Sequence, residues 1–295
     1  MKRIVFHFLA VMALSGMGPV FSAEPERLPF EVRFRGREQF DKLLEQAREE
    51  DWKDLPIGKR AAAVGLALME TPYKSYTLEI DDHIEAPSVN LEALDCWTFF
   101  EVSLAFARML GEPLDRHTPE VLLNYIELDR YRGGRCDGTY LSRLHYLADW
   151  LFDNQERGLV RDLSRDLGGV RIRRKCMEMS KLWKSYRYLR TNPLLLPEMR
   201  RHEDRISALP VYHVPKAKVA AVEKHLQDGD IIGITSKYDG AFCSHVGMAR
   251  RDDKGVLRFM HASSKHGEVV GDQRLSDYLH DFRSHAGILV ARPLK

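Results

Sequence analysis

Cys96 follows Asp95 at the head of the most apolar stretch of the chain, Asp95 to Leu110, which carries Trp97, Phe99, Phe100, Val102, Leu104 and Phe106. A helix that is apolar on every face is buried. A thiol at its first position faces unpaired backbone N–H groups and the positive end of the helix dipole. Both favour the thiolate, the form in which cysteine is a nucleophile. Two histidines lie far downstream: His245 opens Ser244-His245-Val246-Gly247-Met248-Ala249, and His261 sits within Phe259-Met260-His261-Ala262-Ser263. Strand alternation puts His245, Gly247 and Ala249 on one face, and Phe259 and His261 on one face of their own strand. On neighbouring strands the two imidazoles lie side by side, one to take the thiol proton and the other to orient it. Gly247 and Ala249 then leave room for substrate or for the nucleophile helix.

Taken singly, each residue also fits a structural role: a buried thiol in an apolar helix, or strand histidines bonded to backbone. Cys96, Cys243, His245 and His261 are also zinc-ligand types. The chain has no C-x-x-C or H-x-x-x-H pair among them, so the reading expects no metal and no other cofactor. Cys243 shares a strand face with His245 and stands near the site without a role in it.

The elements that must position these residues fall in two groups. Glu38 to Glu50 has apolar residues at helical spacing (Phe40, Leu43, Leu44, Ala47), and Ala61 to Met69 is rich in helix formers behind Asp54 as cap and Pro56 in the first turn. Thr118 caps a helix to Tyr131 with Pro119 at its first position, and Ser142 to Gln155 reads as another. Leu159 to Leu209 is basic and mixed, with short helices at best, and Pro215 to Leu226 is one more helix. After Gly229 the chain turns to short β-branched or apolar runs at Asp230–Thr235, Ser244–Arg250, Leu257–Ala262 and Gly287–Arg292. Turn signals at 237–240, 252–255 and 263–267 separate them. The expected class is α+β: helices packed on one side of an antiparallel sheet of about five strands.

The first residues read as an address. Lys2 and Arg3 precede an uncharged stretch from Ile4 to Ala23, broken by Gly18-Pro19 and closing on Val20-Phe21-Ser22-Ala23. This is the layout of a signal peptide cut after Ser22 or Ala23, and it is too short and interrupted for a spanning helix. Residues 1–22 are therefore expected to be removed, leaving 23–295 as one domain, exported and periplasmic, with no stable membrane insertion. The full chain of 295 residues carries 45 basic and 43 acidic side chains, and the cut brings the two level. No basic bias points to nucleic acid. The composition, 44% hydrophobic and 30% charged, excludes disordered and low-complexity classes. Four cysteines (Cys96, Cys136, Cys176, Cys243) allow two disulfides in an oxidising compartment, and the spacing does not decide whether Cys136 and Cys176 pair.

In order, Pro72-Tyr73, Asp95-Cys96, His245-Val246-Gly247 and His261-Ala262-Ser263 resemble the motifs of the NlpC-type, papain-like cysteine peptidase superfamily of bacterial cell-wall enzymes. The chain is closer still to the NlpC-like amidase family long known only as a domain of unknown function. The carriers are Asp95-Cys96-Trp97-Thr98-Phe99, the Arg-x-His-Tyr pattern at Arg143-Leu144-His145-Tyr146, read as helix, and Asp149-Trp150. The resemblance runs from about Leu43 to Pro293. It implies a hydrolase of the amide between N-acetylmuramic acid and L-alanine in peptidoglycan or muropeptides. Under it Cys96 is the nucleophile, His245 the base and His261 the orienting third member. Tyr73 lies near the acyl oxygen, although 22 residues separate it from Cys96. The stretch 111–209 is a helical insertion that builds a substrate wall, with Arg143 and His145 as candidates to meet stem-peptide carboxylates.

Two rivals remain at this level. An endopeptidase of the same fold, cutting between D-glutamate and diaminopimelate, would use the same catalytic residues. A non-catalytic peptidoglycan-binding protein would not need them.

Overall fold

The computed structural model of the chain describes residues 28–271 and 273–294. The expected signal peptide over 1–22 lies outside the described residues. The first long helix, α1 (Arg37–Glu49), buries Phe40, Leu43, Leu44 and Ala47, the stripe its sequence spacing dictates. Helix α2 (Ile57–Ala67) starts from Pro56, and Asp54 closes a separate 3-10 turn instead of capping it. Pro56 ends on an extended backbone and supplies the fixed φ from which the helix turns, so no side-chain cap is used. Helix α3 (Cys96–Met109) is buried at every position from Thr98 to Met109. It packs on α2, and Gly65 makes that approach possible: a Cβ there would lie 3.2 Å from the Phe99 ring.

Helix α4 (Pro119–Arg130) begins at Thr118, whose hydroxyl accepts from the Val121 N–H at 3.4 Å. Two buried ion pairs tie it to α3, Arg108 to Asp129 at 3.0 Å and Arg130 to Glu101 at 2.7 Å. Helix α5 (Leu147–Glu156) starts five residues later than the sequence spacing suggests. Arg143 to Tyr146 is extended, because Arg143 bridges Tyr131 and the Leu144 N–H donates to the Arg130 carbonyl at 2.9 Å. The mixed stretch beyond contains a full 13-residue helix, α6 (Leu196–Ala208), where only short helices are expected. Two short helices, α7 (Lys216–Val222) and α8 (Leu275–His280), complete the helices relevant here.

Eight strands form one antiparallel sheet: β1 (Val160–Asp162), β2 (Val170–Arg171), β3 (Tyr212–Pro215), β4 (Ile231–Ser236), β5 (Cys243–Arg251), β6 (Leu257–Ser263), β7 (Glu268–Val270) and β8 (His285–Pro293). The order is β2-β3-β8-β4-β5-β6-β7, with β1 also paired to β8. The expected count of about five is thus corrected to eight. The additional strands are two to four residues long and exist only as partners of longer neighbours.

The sheet is covered on both faces, not on one. Val246, Met248, Met260 and Leu289 join the large core with α1 to α6, while Ile232, Ile234, Phe259 and Val290 join a second core with Val219 of α7 and Leu279 of α8. Strand β4 is buried at all six positions, which requires apolar cover from above and below. Among the described residues no helix is long and apolar enough to cross a membrane.

Candidate active site

Cys96 is fixed by the cap of its helix. The Asp95 backbone is extended, and its Oδ1 accepts from the Thr98 N–H at 2.8 Å while the Thr98 hydroxyl accepts from the Asp95 N–H at 2.9 Å. This reciprocal capping box satisfies two of the donors a helix start leaves open. The other carboxylate oxygen, Oδ2, accepts from the Thr77 hydroxyl at 2.8 Å and from its N–H at 3.3 Å. Asp95 is therefore fully engaged as a structural anchor, holding the helix start against the loop that carries Tyr73.

The thiol does not rest as a thiolate. Burial pushes it up to about 12, the Asp95 charge adds to this, and N–H groups of Val246, Trp97 and Cys96 itself oppose it. The helix start alone favours the thiolate, but desolvation outweighs those N–H groups. The same groups remain aimed at the sulfur, where they can serve negative charge that develops during reaction.

The two histidines meet as strand pairing requires. Strands β5 and β6 are adjacent and antiparallel, with Met248 opposite Met260. His245 Nε2 lies 2.7 Å from His261 Nδ1, and the rings stand nearly perpendicular at 88°. Gly247 makes this possible in a way the sequence did not indicate. A Cβ there would lie 2.3 Å from the Met260 carbonyl oxygen and 2.9 Å from the His261 Cβ, so the space is filled by β6 and is not left for substrate or helix. Burial, then the neighbouring His261 and His285, pull His245 down to about 3. Burial also pulls His261 down to about 4. Both rings are neutral at pH 7, and one N–H is shared between them. Tyr278 of α8 backs the pair, its ring centroid 4.9 Å from that of His261. A bulge at Ser244, between the pairs Ile234–His245 and Thr235–Cys243, turns the chain where β5 enters the site.

Cys96 and His245 line one cavity of about 390 Å³. Tyr73 lines it too. Although distant from Cys96 in sequence, it is brought back by a bridge to Leu94 and by its N–H, which donates to the Gly267 carbonyl at 2.7 Å. Arg143 and His145 form part of the far wall. The Arg143 guanidinium is buried 4.8 Å from the Tyr140 ring centroid, with Glu85 at 3.6 Å and Glu79 at 4.0 Å. Its charge is thus already countered, and these carboxylates hold its pKa above the ordinary value against burial. His145 shares a 2.7 Å hydrogen bond with the Tyr140 carbonyl, and burial together with Arg143 holds it well below its usual pKa. Sequence reading missed Glu79, Tyr140, Glu178 and Tyr186 in the same wall. They come from separate segments, and none carries a local pattern.

Cys243 lines the cavity as well, and all four described cysteines, including Cys136 and Cys176, are free thiols. Among the described residues no three His, Cys, Asp or Glu side chains group as metal ligands.

A model of AmiA-like, N-acetylmuramoyl-L-alanine amidase-like proteins matches residues 63–288, and the chain belongs to that family. Its fold is similar to a solved N-acetylmuramoyl-L-alanine amidase from Bacteroides uniformis at 32% identity and TM-score 0.74, covering 81% of this chain and 99% of that one. It is also similar to a Bacteroides fragilis protein described as a putative xylanase, at 34% identity and TM-score 0.71, covering 78% and 99%. A Legionella pneumophila protein, 18% identical over 88% of this chain and 95% of its own, shares the fold with a TM-score of 0.67. No curated protein matches.

Proposed function

We propose that the chain is an N-acetylmuramoyl-L-alanine amidase acting on peptidoglycan fragments through Cys96, His245 and His261, in an NlpC-like, papain-like arrangement of nucleophile helix and histidine strands. The observation that carries this reading is the 2.7 Å contact between His245 and His261, with His245 and Cys96 on the wall of one cavity. His245 Nε2 is occupied by His261, and Nδ1 has no hydrogen-bond partner among the described residues, so Nδ1 is the nitrogen available to the thiol. That assignment makes Nε2 of His245 the donor to Nδ1 of His261, and His261 carries its own proton on Nε2.

The reaction is acyl transfer in two halves. The Cys96 sulfur attacks the lactyl carbonyl carbon as its proton passes to His245 Nδ1, because a thiol and an imidazole that are both neutral at rest favour concerted transfer. The N–H groups of Cys96 and Trp97 at the helix start meet the developing oxyanion. The C–N bond then breaks, and His245 returns its proton to the alanine nitrogen. Water, deprotonated by His245, cleaves the thioester, giving the muramic carboxylate and the free thiol. Tyr73, Arg143 and His145 shape the acyl side of the cavity, and the stretch 111–209, read as an insertion, supplies the part of that wall that holds Arg143 and His145. The protein works after export, in the periplasm, without a cofactor.

Defined muropeptides incubated with the protein and with Cys96→Ala, followed by product masses, test the reading. Free stem peptide with an N-terminal L-alanine, absent with the variant, is expected. A cut between D-glutamate and diaminopimelate would replace it with the endopeptidase. Retention of muropeptide without cleavage would replace it with the binding protein.

A further inference from the structure

Two cavities meet at Ser244 and His245, the first of about 390 Å³ and the second of about 270 Å³. Their walls differ in charge: Glu79, Asp95 and Glu178 line the first beside Arg143, and Lys265 and Asp281 line the second. In the first, Tyr140 donates its hydroxyl to Glu79 at 2.7 Å, Tyr146 to Glu203 at 2.6 Å and Tyr186 to Glu178 at 3.1 Å, so these hydroxyl protons are committed to carboxylates, and the Tyr146 oxygen in turn accepts from the Met179 N–H at 2.9 Å. Glu79, with its side chain only 5% exposed, keeps Oε2 without a partner, and Arg143 is already countered by Glu79 and Glu85. A carboxylate entering there meets carboxylates.

The second cavity is lined by the donor-bearing residues Lys265, His266, Ser263, Ser264 and Tyr278. His285, only 5% exposed, lines it and has its Nδ1 unpartnered. Its described carboxylate, Asp281, already accepts from Gln273 Nε2 at 3.0 Å. The turn that carries Lys265 and His266 is tied to the site, since Gly267 accepts from the Tyr73 N–H at 2.7 Å. His245 and His261 form the wall between this turn and the thiol.

We propose that the second cavity is the subsite of the leaving half of the substrate and binds the α-carboxylate of the D-glutamate residue of the departing peptide, with Lys265 as its ion-pair partner. The assignment rests on the amidase reading: His245 must hand its proton to the leaving nitrogen, so the leaving half lies against the histidine pair. The cavity that holds Lys265 continues from that point, and the carboxylate-lined cavity is left for the uncharged acyl half. Charge complementarity of this kind fixes orientation more than it adds affinity.

The test titrates the Cys96→Ala protein with N-acetylmuramoyl-L-alanyl-D-glutamate and with the matching D-isoglutamine compound, in which the α-carboxylate is an amide. The carboxylate is expected to bind about fivefold more tightly, the size of a partly exposed ion pair. Lys265→Glu in the same background is expected to remove the preference and Lys265→Gln to reduce it. Equal affinity for the two compounds, or a preference that survives Lys265→Glu, overturns the subsite. Cleavage of the isoglutamine compound by the unaltered protein reports separately on the amidase reading. Cleavage without a carboxylate preference sinks the subsite alone. A Lys265-dependent preference without cleavage sinks the amidase reading and keeps the carboxylate site.

Discussion

His245 Nε2 and His261 Nδ1 stand 2.7 Å apart across two antiparallel strands, and the absence of a side chain at Gly247 lets them do so. The contact gives the two histidines different settings. His245 faces the cavity it shares with Cys96, and His261 is buried behind it.

In the proposed mechanism His261 is a positioning residue. His261→Ala is expected to lower kcat by about 10²- to 10³-fold with little change in KM, because an unheld imidazole loses tautomer and orientation. His261→Asn, which keeps a polar partner for His245, is expected to recover part of the loss. Steady-state kinetics on a defined muropeptide separates the two parameters. An equal rise in KM would place His261 in substrate binding.

The histidine shifts set the pH behaviour. With His245 at about 3 and His261 at about 4, both rings stay neutral across pH 5 to 9, so kcat/KM is expected to be flat there and to fall only below pH about 4. Stability follows the same groups. Their folded pKa values lie below the ordinary 6.5, so from pH 6.5 downward the unfolded chain takes up protons that the folded chain refuses. That contribution to stability is present above pH 6.5 and is lost as pH falls towards the folded values. Thermal unfolding between pH 4 and 7 checks it, and His261→Asn is expected to flatten the slope.

Asp95 raises the Cys96 thiol by its charge and caps the helix by hydrogen bonding, so the two effects can be separated. Asp95→Asn keeps an acceptor for the Thr98 N–H and removes the charge. Thiol alkylation by iodoacetamide at fixed pH is expected to speed up, with a small loss of stability. Asp95→Ala is expected to cost about 1–2 kcal/mol, the usual value of a lost cap, in denaturant unfolding. Slower alkylation of the Asn variant would contradict the assigned electrostatics.

Gly247→Ala places a Cβ against the Met260 carbonyl, a backbone atom that cannot swing aside. The strands must separate, at a cost of about 1–3 kcal/mol. The His245–His261 contact lengthens with them. The variant is expected to lose activity even at temperatures where it is fully folded, and circular dichroism beside the activity assay distinguishes this from unfolding.

The parts of this structure that were legible in sequence are those with local causes. The helix at Cys96 announces itself through its cap and apolar run, and the helix at Pro119 through Thr118. The long strands announce themselves by β-branched runs between turns. What sequence missed has distant causes. Helix α6 was hidden because its buried face, Met199, Glu203 and Ile206, includes a carboxylate that accepts from the Tyr146 hydroxyl and so breaks the apolar period. Arg143 to Tyr146 has helical spacing but is pulled straight by Arg130 and Tyr131. Strands β1 and β2 are too short to nucleate and are defined by β8 and β3. At the site, Cys96, His245 and His261 stood out by type and setting, whereas Glu79, Tyr140 and Glu178 meet only through the fold.

The central claim is a covalent muramoyl thioester on Cys96. Intact-protein mass after acid quench within the first turnover tests it most directly. The account predicts an adduct with the mass of the N-acetylmuramoyl acyl group, mapped to the peptide that contains Cys96 and lost in Cys96→Ala together with activity. Full hydrolysis by Cys96→Ala, or an acyl adduct that maps to another residue, would contradict it.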